Sequence, residues 1–98
     1  NQLRKFLSGV NRLSNLIQAS SEKTLNEELL SQIQLLRVRL VYQIGKQDRR
    51  SKEDLEYFLK KLNPYFEAIE KDKTPKSYQQ LADFVETVIA YHKYHGGN

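Results

Sequence analysis

Apolar residues recur every three or four positions along nearly the whole chain, the period of an α-helix with one buried face. Leu3, Phe6, Leu7, Val10, Leu13 and Ile17 set the first stripe and predict a helix from about Gln2 to Gln18. Arg4, Lys5 and Arg12 fall on its other side, and Ala19 to Lys23 reads as a polar connector. Thr24 with Glu27 three residues later forms a capping-box pattern, so a second helix is expected to open at Thr24. Leu25, Leu29, Ile33, Leu36, Leu40 and Ile44 carry its stripe. Gly45 takes the left-handed conformation without a steric penalty and is expected to end it. Should the helix pass the glycine, Gln47 to Arg50 would be its frayed end.

Ser51 is the expected cap of a third helix, with Glu53 and Asp54 in the first turn, where the helix dipole favours acids. Leu55, Phe58, Leu59 and Leu62 form its buried face. Asn63-Pro64 reads as a cap followed by proline at the first helical position, and opens a short fourth helix to about Lys71 that buries Phe66 and Ile69. Thr74-Pro75 repeats the device and starts a fifth helix reaching about Tyr94. Tyr78, Leu81, Val85, Val88 and His92 make its inner row, flanked by Phe84 and Ile89, and Gly96-Gly97 ends it. No window alternates cleanly enough for a strand. The expected fold is all-α, a compact antiparallel bundle of about five helices, with residues 1–98 as one domain.

Composition narrows the function more than the fold. Hydrophobic residues at 39% and charged residues at 29% are globular values, and no run of about 18 apolar residues provides a membrane span. The sequence shows no leader with a cleavage site and no cysteine, so a cytoplasmic location is expected. Without an initiator methionine, the sequence is expected to begin at an ordered segment rather than at the start of translation. A chain this short buries only around 65% of its unfolded surface, so it would be marginal alone and would gain from stacking against a partner.

Enzyme readings lack parts. His92 and His95 are the only histidines, and Glu86 lies on a different face of their helix, so no third metal donor joins them. His92 reads better as a core-edge residue and His95 as a cation near a helix C-terminus. The sequence holds no cysteine nucleophile, no G-x-S-x-G turn and no glycine-rich phosphate loop. Glu27/Glu28 and Glu53/Asp54 are first-turn acids rather than a catalytic pair. The expectation is no catalytic residue, no metal and no cofactor.

The cations are more informative. Lys and Arg number 16 against 12 acids, a net +4 that favours polyanions without establishing one. Arg39, Tyr42 and Lys46 are spaced three and four apart and share one side of the second helix, with Arg49 and Arg50 following. Cations interleaved with an aromatic suit a phosphate backbone, and an ordinary solvated face would carry the same pattern. Arg37 sits at the rim of the apolar face and is expected to be partly buried and paired with a carboxylate. Arg4, Lys5 and Arg12 make a second basic face, and Lys60 and Lys61 a third cluster. Lys71, Lys73 and Lys76 surround the loop before the last helix and read as solubilising. Lys93 points away from the inner row, and Tyr91, Tyr94 and the two glycines make that terminus a candidate contact surface.

Three blocks carry a resemblance: Gln2-Leu3-Arg4-Lys5-Phe6, the run from Leu36 to Lys46, and the end from Phe84 through Tyr91-His92-Lys93-Tyr94-His95-Gly96-Gly97. Together they resemble the small-subunit family of the type III-A (Csm) CRISPR–Cas effector complex, the terminal block most specifically. The resemblance implies an antiviral-defence subunit present in several copies, stacked head to tail beside the backbone subunits that hold the guide RNA. It implies contact with guide RNA and target RNA, with the large subunit and the backbone subunits, and with further copies of itself. It also implies no catalysis, the cutting reactions belonging to other subunits. By position, Arg4 and Lys5 match the family's early basic pair, and Arg37 and Arg39 its central basic block. Lys46 stands where the family often has arginine, keeping the charge and losing the bidentate fork. The family pattern usually has residues before the first helix. The resulting RNA-binding candidates are Arg4, Lys5, Arg12, Arg37, Arg39, Tyr42, Lys46, Arg49, Arg50, Lys60, Lys61 and Lys93. Two alternatives stand beside this reading: a helical protein-interaction module that never touches nucleic acid, and the small subunit of the sister type III-B complex.

Overall fold

A computed structural model describes the backbone of residues 2–94 and the side chains of residues 3–92. Among them are four helices, α1 (Gln2–Ser20), α2 (Glu27–Gly45), α3 (Arg49–Asp72) and α4 (Pro75–Tyr94), and no strand. α1 packs against α2 and α4, and α3 packs against the same two, so the four helices close a ring. The expected all-helical bundle is present with one helix fewer, because the anticipated third and fourth helices are one.

The merger turns on Pro64. A proline inside a helix removes a hydrogen bond and disfavours the interior by about 3 kcal/mol, which is why Asn63-Pro64 reads as a boundary. Yet Leu55, Phe58, Leu62, Phe66 and Ile69 continue one stripe in a single register, and all five are buried. Keeping that register across the proline keeps Phe66 and Ile69 fully inside. Asn63, instead of capping, turns its side chain to Arg37 of α2.

Two other starts shift for similar reasons. α2 opens at Glu27 rather than Thr24, because the Leu25 amide donates to the Lys73 carbonyl at 2.8 Å and ties that segment to the α3–α4 turn. Asn26 is then the cap, accepting from the Leu29 amide at 2.8 Å. α3 opens at Arg49, with Asp48 accepting from the Ser51 amide at 2.9 Å, so Ser51 is the residue capped rather than the cap. At α4 the expectation holds: Thr74 Oγ1 accepts from the Ser77 amide and Pro75 takes the first helical position. Ala19 and Ser20, expected in the connector, extend α1 by a further half turn, and Ser21 then takes a left-handed φ of 54°.

One core cluster draws on all four helices. Phe6 and Phe58 meet edge to face across it, with ring centroids 5.8 Å apart. Tyr78 is almost wholly buried, and its hydroxyl donates to the Val10 carbonyl at 2.6 Å, bolting α4 to α1. Burial raises its pKa above the ordinary phenol range, outweighing Ser14 and Arg12, which act the other way. His92 corrects its expected place in the inner row: it is exposed. His95 and Gly96-Gly97 lie outside the described residues.

Candidate functional site

The antiparallel packing of α1 on α2 brings the N-terminal half of one beside the C-terminal half of the other. Arg12 Nη1 donates to Gln32 Oε1 at 3.1 Å and sets the register. Two turns toward the N-terminus of α1, Lys5, Phe6 and Gly9 face Leu36, Arg39, Leu40, Tyr42 and Gln43 of α2 across a groove of about 270 Å³. Gly9 lets the helices approach: a Cβ there would stand 2.7 Å from a Leu36 methyl. The floor is therefore apolar, and the rim holds two cations, a tyrosine and an amide.

Lys46, one turn beyond Tyr42, stacks its ammonium over the Tyr42 ring at 4.5 Å from the centroid. That contact favours an exposed cation by about 0.5–1 kcal/mol and keeps the charge beside the groove. No carboxylate lines the groove, and among the described residues neither Lys5 nor Arg39 has one within ion-pair distance. Three other surface hollows each carry an acid: Glu27 and Glu70 between α2 and α3, Asp83 between α3 and α4, and Asp54 near the end of α4.

α2 ends at Gly45 as expected, and Arg49 and Arg50 form the first turn of α3. The positive end of a helix dipole disfavours cations by about 0.3–1 kcal/mol each, so their placement does not serve the stability of α3. It adds positive potential three residues past Lys46.

The remaining candidates are dispersed. Arg37 lies on the opposite flank of α2, facing α3. Its guanidinium donates to Asn63 Oδ1 at 2.9 Å, pairs with Glu70 at 3.8 Å and covers the Phe66 ring at 5.4 Å. The expected partly buried, carboxylate-paired arginine is present. Arg4 is exposed on α1, and Lys60 is exposed on α3. Lys61, on the same helix, covers Tyr57 at 5.3 Å. The side chain of Lys93 lies outside the described residues.

Sequence reading missed Gly9 and Gln43. Their signal is the helix-to-helix register, which no single stripe reports. It also missed the outward face of α2, where Leu35, Val38 and Val41 are each about half exposed. Among the described residues no three His, Asp or Glu side chains gather to hold a metal ion, and no helix is long and apolar enough to cross a membrane.

Comparison with known proteins bears on this geometry. Residues 1–98 match the family model described as Csm2 Type III-A. A curated relative from Streptococcus thermophilus, described as "CRISPR system Cms protein Csm2", is 32% identical over 96 residues, covering 98% of this chain and 71% of the relative.

Proposed function

Since the chain belongs to the Csm2 family of type III-A CRISPR–Cas small subunits, we propose that it serves that complex as a non-catalytic RNA-contacting brick. The alternative placement in the sister type III-B complex falls away with that membership. The observation that carries the proposal is the acid-free cationic groove between α1 and α2, continued by Lys46, Arg49 and Arg50. Long flexible lysines and exposed arginines neutralise phosphates without reading base edges, so guide and target RNA of any sequence are accepted. Arg37, with its fork occupied by Asn63 and Glu70, holds α2 to α3 in this scheme.

The second reading, a protein-interaction module, gains a specific observation in the apolar outward face of α2. Leu35, Val38 and Val41 lie on the side away from the core, suited to the large subunit, a backbone subunit or another copy. The two surfaces adjoin on α2, because Leu35 stands one turn before Arg39 and Val38 one turn before Tyr42, so a partner on the apolar face would sit beside the RNA-contacting edge. The assembly is cytoplasmic in this proposal.

Replacing Arg39, Lys46 and Arg49 together with alanine tests the RNA role. The variant is expected to assemble normally and to lose target-RNA retention. With about four phosphates neutralised per copy, the log–log salt slope of the unaltered protein should be roughly −3, and the triple variant should flatten to about −0.7. Normal RNA retention by the assembled triple variant would remove these residues from the interface.

A further inference from the structure

We propose that the α1–α2 groove seats one unstacked base of a single-stranded RNA, so that the subunit holds its nucleic acid by base insertion as well as by phosphate charge. This rests on the reading of the protein as an RNA-contacting subunit and goes beyond it, since backbone neutralisation alone needs no groove.

Three observations converge. The floor is apolar, built from Phe6, Gly9, Leu36 and Leu40, and a phosphate has no use for such a floor. The rim is cationic and carboxylate-free, through Lys5 and Arg39 with Lys46 alongside, which selects an anion-bearing occupant. Tyr42 stands at the rim with 61% exposure, about one turn from Arg39 and one turn from Lys46 on the same side of α2. An occupant with a flat apolar body and a negatively charged backbone on either side satisfies all three, which describes a splayed nucleotide. Gln43 supplies an amide able to donate to or accept from a base edge, and one amide alone tolerates any base. Lys46, already poised over the Tyr42 ring, lies within one turn of a phosphate flanking the seated base.

Gly9 provides a control that leaves every charge in place. A Gly9→Ala methyl would push the Leu36 side chain, whose Cδ1 is the atom it would meet, and so reshape the floor. Exposed Tyr42 offers a second control that does not disturb packing: Tyr42→Phe retains the ring and Tyr42→Ala removes it.

The test uses the purified protein and two single-stranded oligouridylates, one carrying a single 2-aminopurine and one with abasic riboses on the same backbone. The expected result is quenched 2-aminopurine fluorescence on binding and about tenfold tighter binding of the base-bearing strand, as expected for one stacked base. Tyr42→Phe should preserve both, whereas Tyr42→Ala and Gly9→Ala should abolish the preference with an unchanged salt slope. Equal affinity for the two strands with the same salt slope would overturn base insertion and leave the phosphate-contact reading standing. Failure to bind either strand at low salt would overturn both. Loss of assembly with the other subunits in Tyr42→Ala and Gly9→Ala, with strand preference intact, would assign the groove to an acidic protein neighbour and also overturn the proposal.

Discussion

Arg37 and Arg39 stand two residues apart on the same helix, and their surroundings differ completely. A separation of two positions turns them by about 200° around the helix axis, so one faces α3 and the other α1. On the α3 side Arg37 meets an amide, a carboxylate and an aromatic face within reach of one guanidinium. Gln34 adds a further hydrogen bond to Glu70 at 2.6 Å, so that flank is knitted together. On the α1 side Arg39 meets an apolar groove, a lysine and no acid. The same side-chain chemistry serves cohesion on one flank and remains available for a ligand on the other. What decides between these roles is the neighbour on the next helix.

The contrast can be broken most forcefully at Phe66. It is fully buried beneath Arg37, and Phe66→Ala should cost about 3–5 kcal/mol, a large part of a small domain's stability, read as a collapse of the urea midpoint. Next comes the arginine pair itself. Arg37→Ala should lower stability by about 1–2 kcal/mol through the lost charged hydrogen bond and packing, with little owed to the half-exposed ion pair. Arg39→Ala should stay within about 0.5 kcal/mol of the parent in melting while weakening RNA binding. Equal melting of the two variants would erase the distinction.

A smaller effect sharpens the picture at the bolt between α1 and α4. Tyr78 keeps its proton in the folded state, whereas an unfolded tyrosine releases it near pH 10. Stability from this group is therefore complete below about pH 10 and declines above it, as the unfolded chain gives up a proton that the folded chain retains. Urea midpoints across that range should fall less steeply for Tyr78→Phe than for the parent. The smallest expected change is Lys46→Met, which should leave melting within about 0.5 kcal/mol and reduce the RNA salt slope by about 0.7.

These contrasts also show what the sequence made legible. Each buried stripe was visible as a period, because core burial repeats at the helical turn whatever the neighbours do. Arg37's fate was legible too, since a cation at the rim of an apolar face needs a partner. Pro64 misled because local cap chemistry and a continuous stripe gave opposite answers, and burial of Phe66 and Ile69 prevailed. Thr24 misled because a hydrogen bond from Leu25 to Lys73, far away in sequence, chose the start of α2. The groove was half legible: Arg39, Tyr42 and Lys46 declared themselves by spacing, while Lys5, Gly9 and Gln43 join them only through the register of α1 on α2. Spacing along one helix reports a face, and a site between two helices needs both.

The most direct test is ultraviolet crosslinking of the assembled effector complex bound to target RNA, with the crosslinked peptides of this subunit identified by mass spectrometry. The account predicts crosslinks on the segment from Arg39 to Arg50, centred on Tyr42, and none on the Arg37–Glu70 flank. Crosslinks confined to α3 and α4, or an absence of any on this subunit, would contradict it.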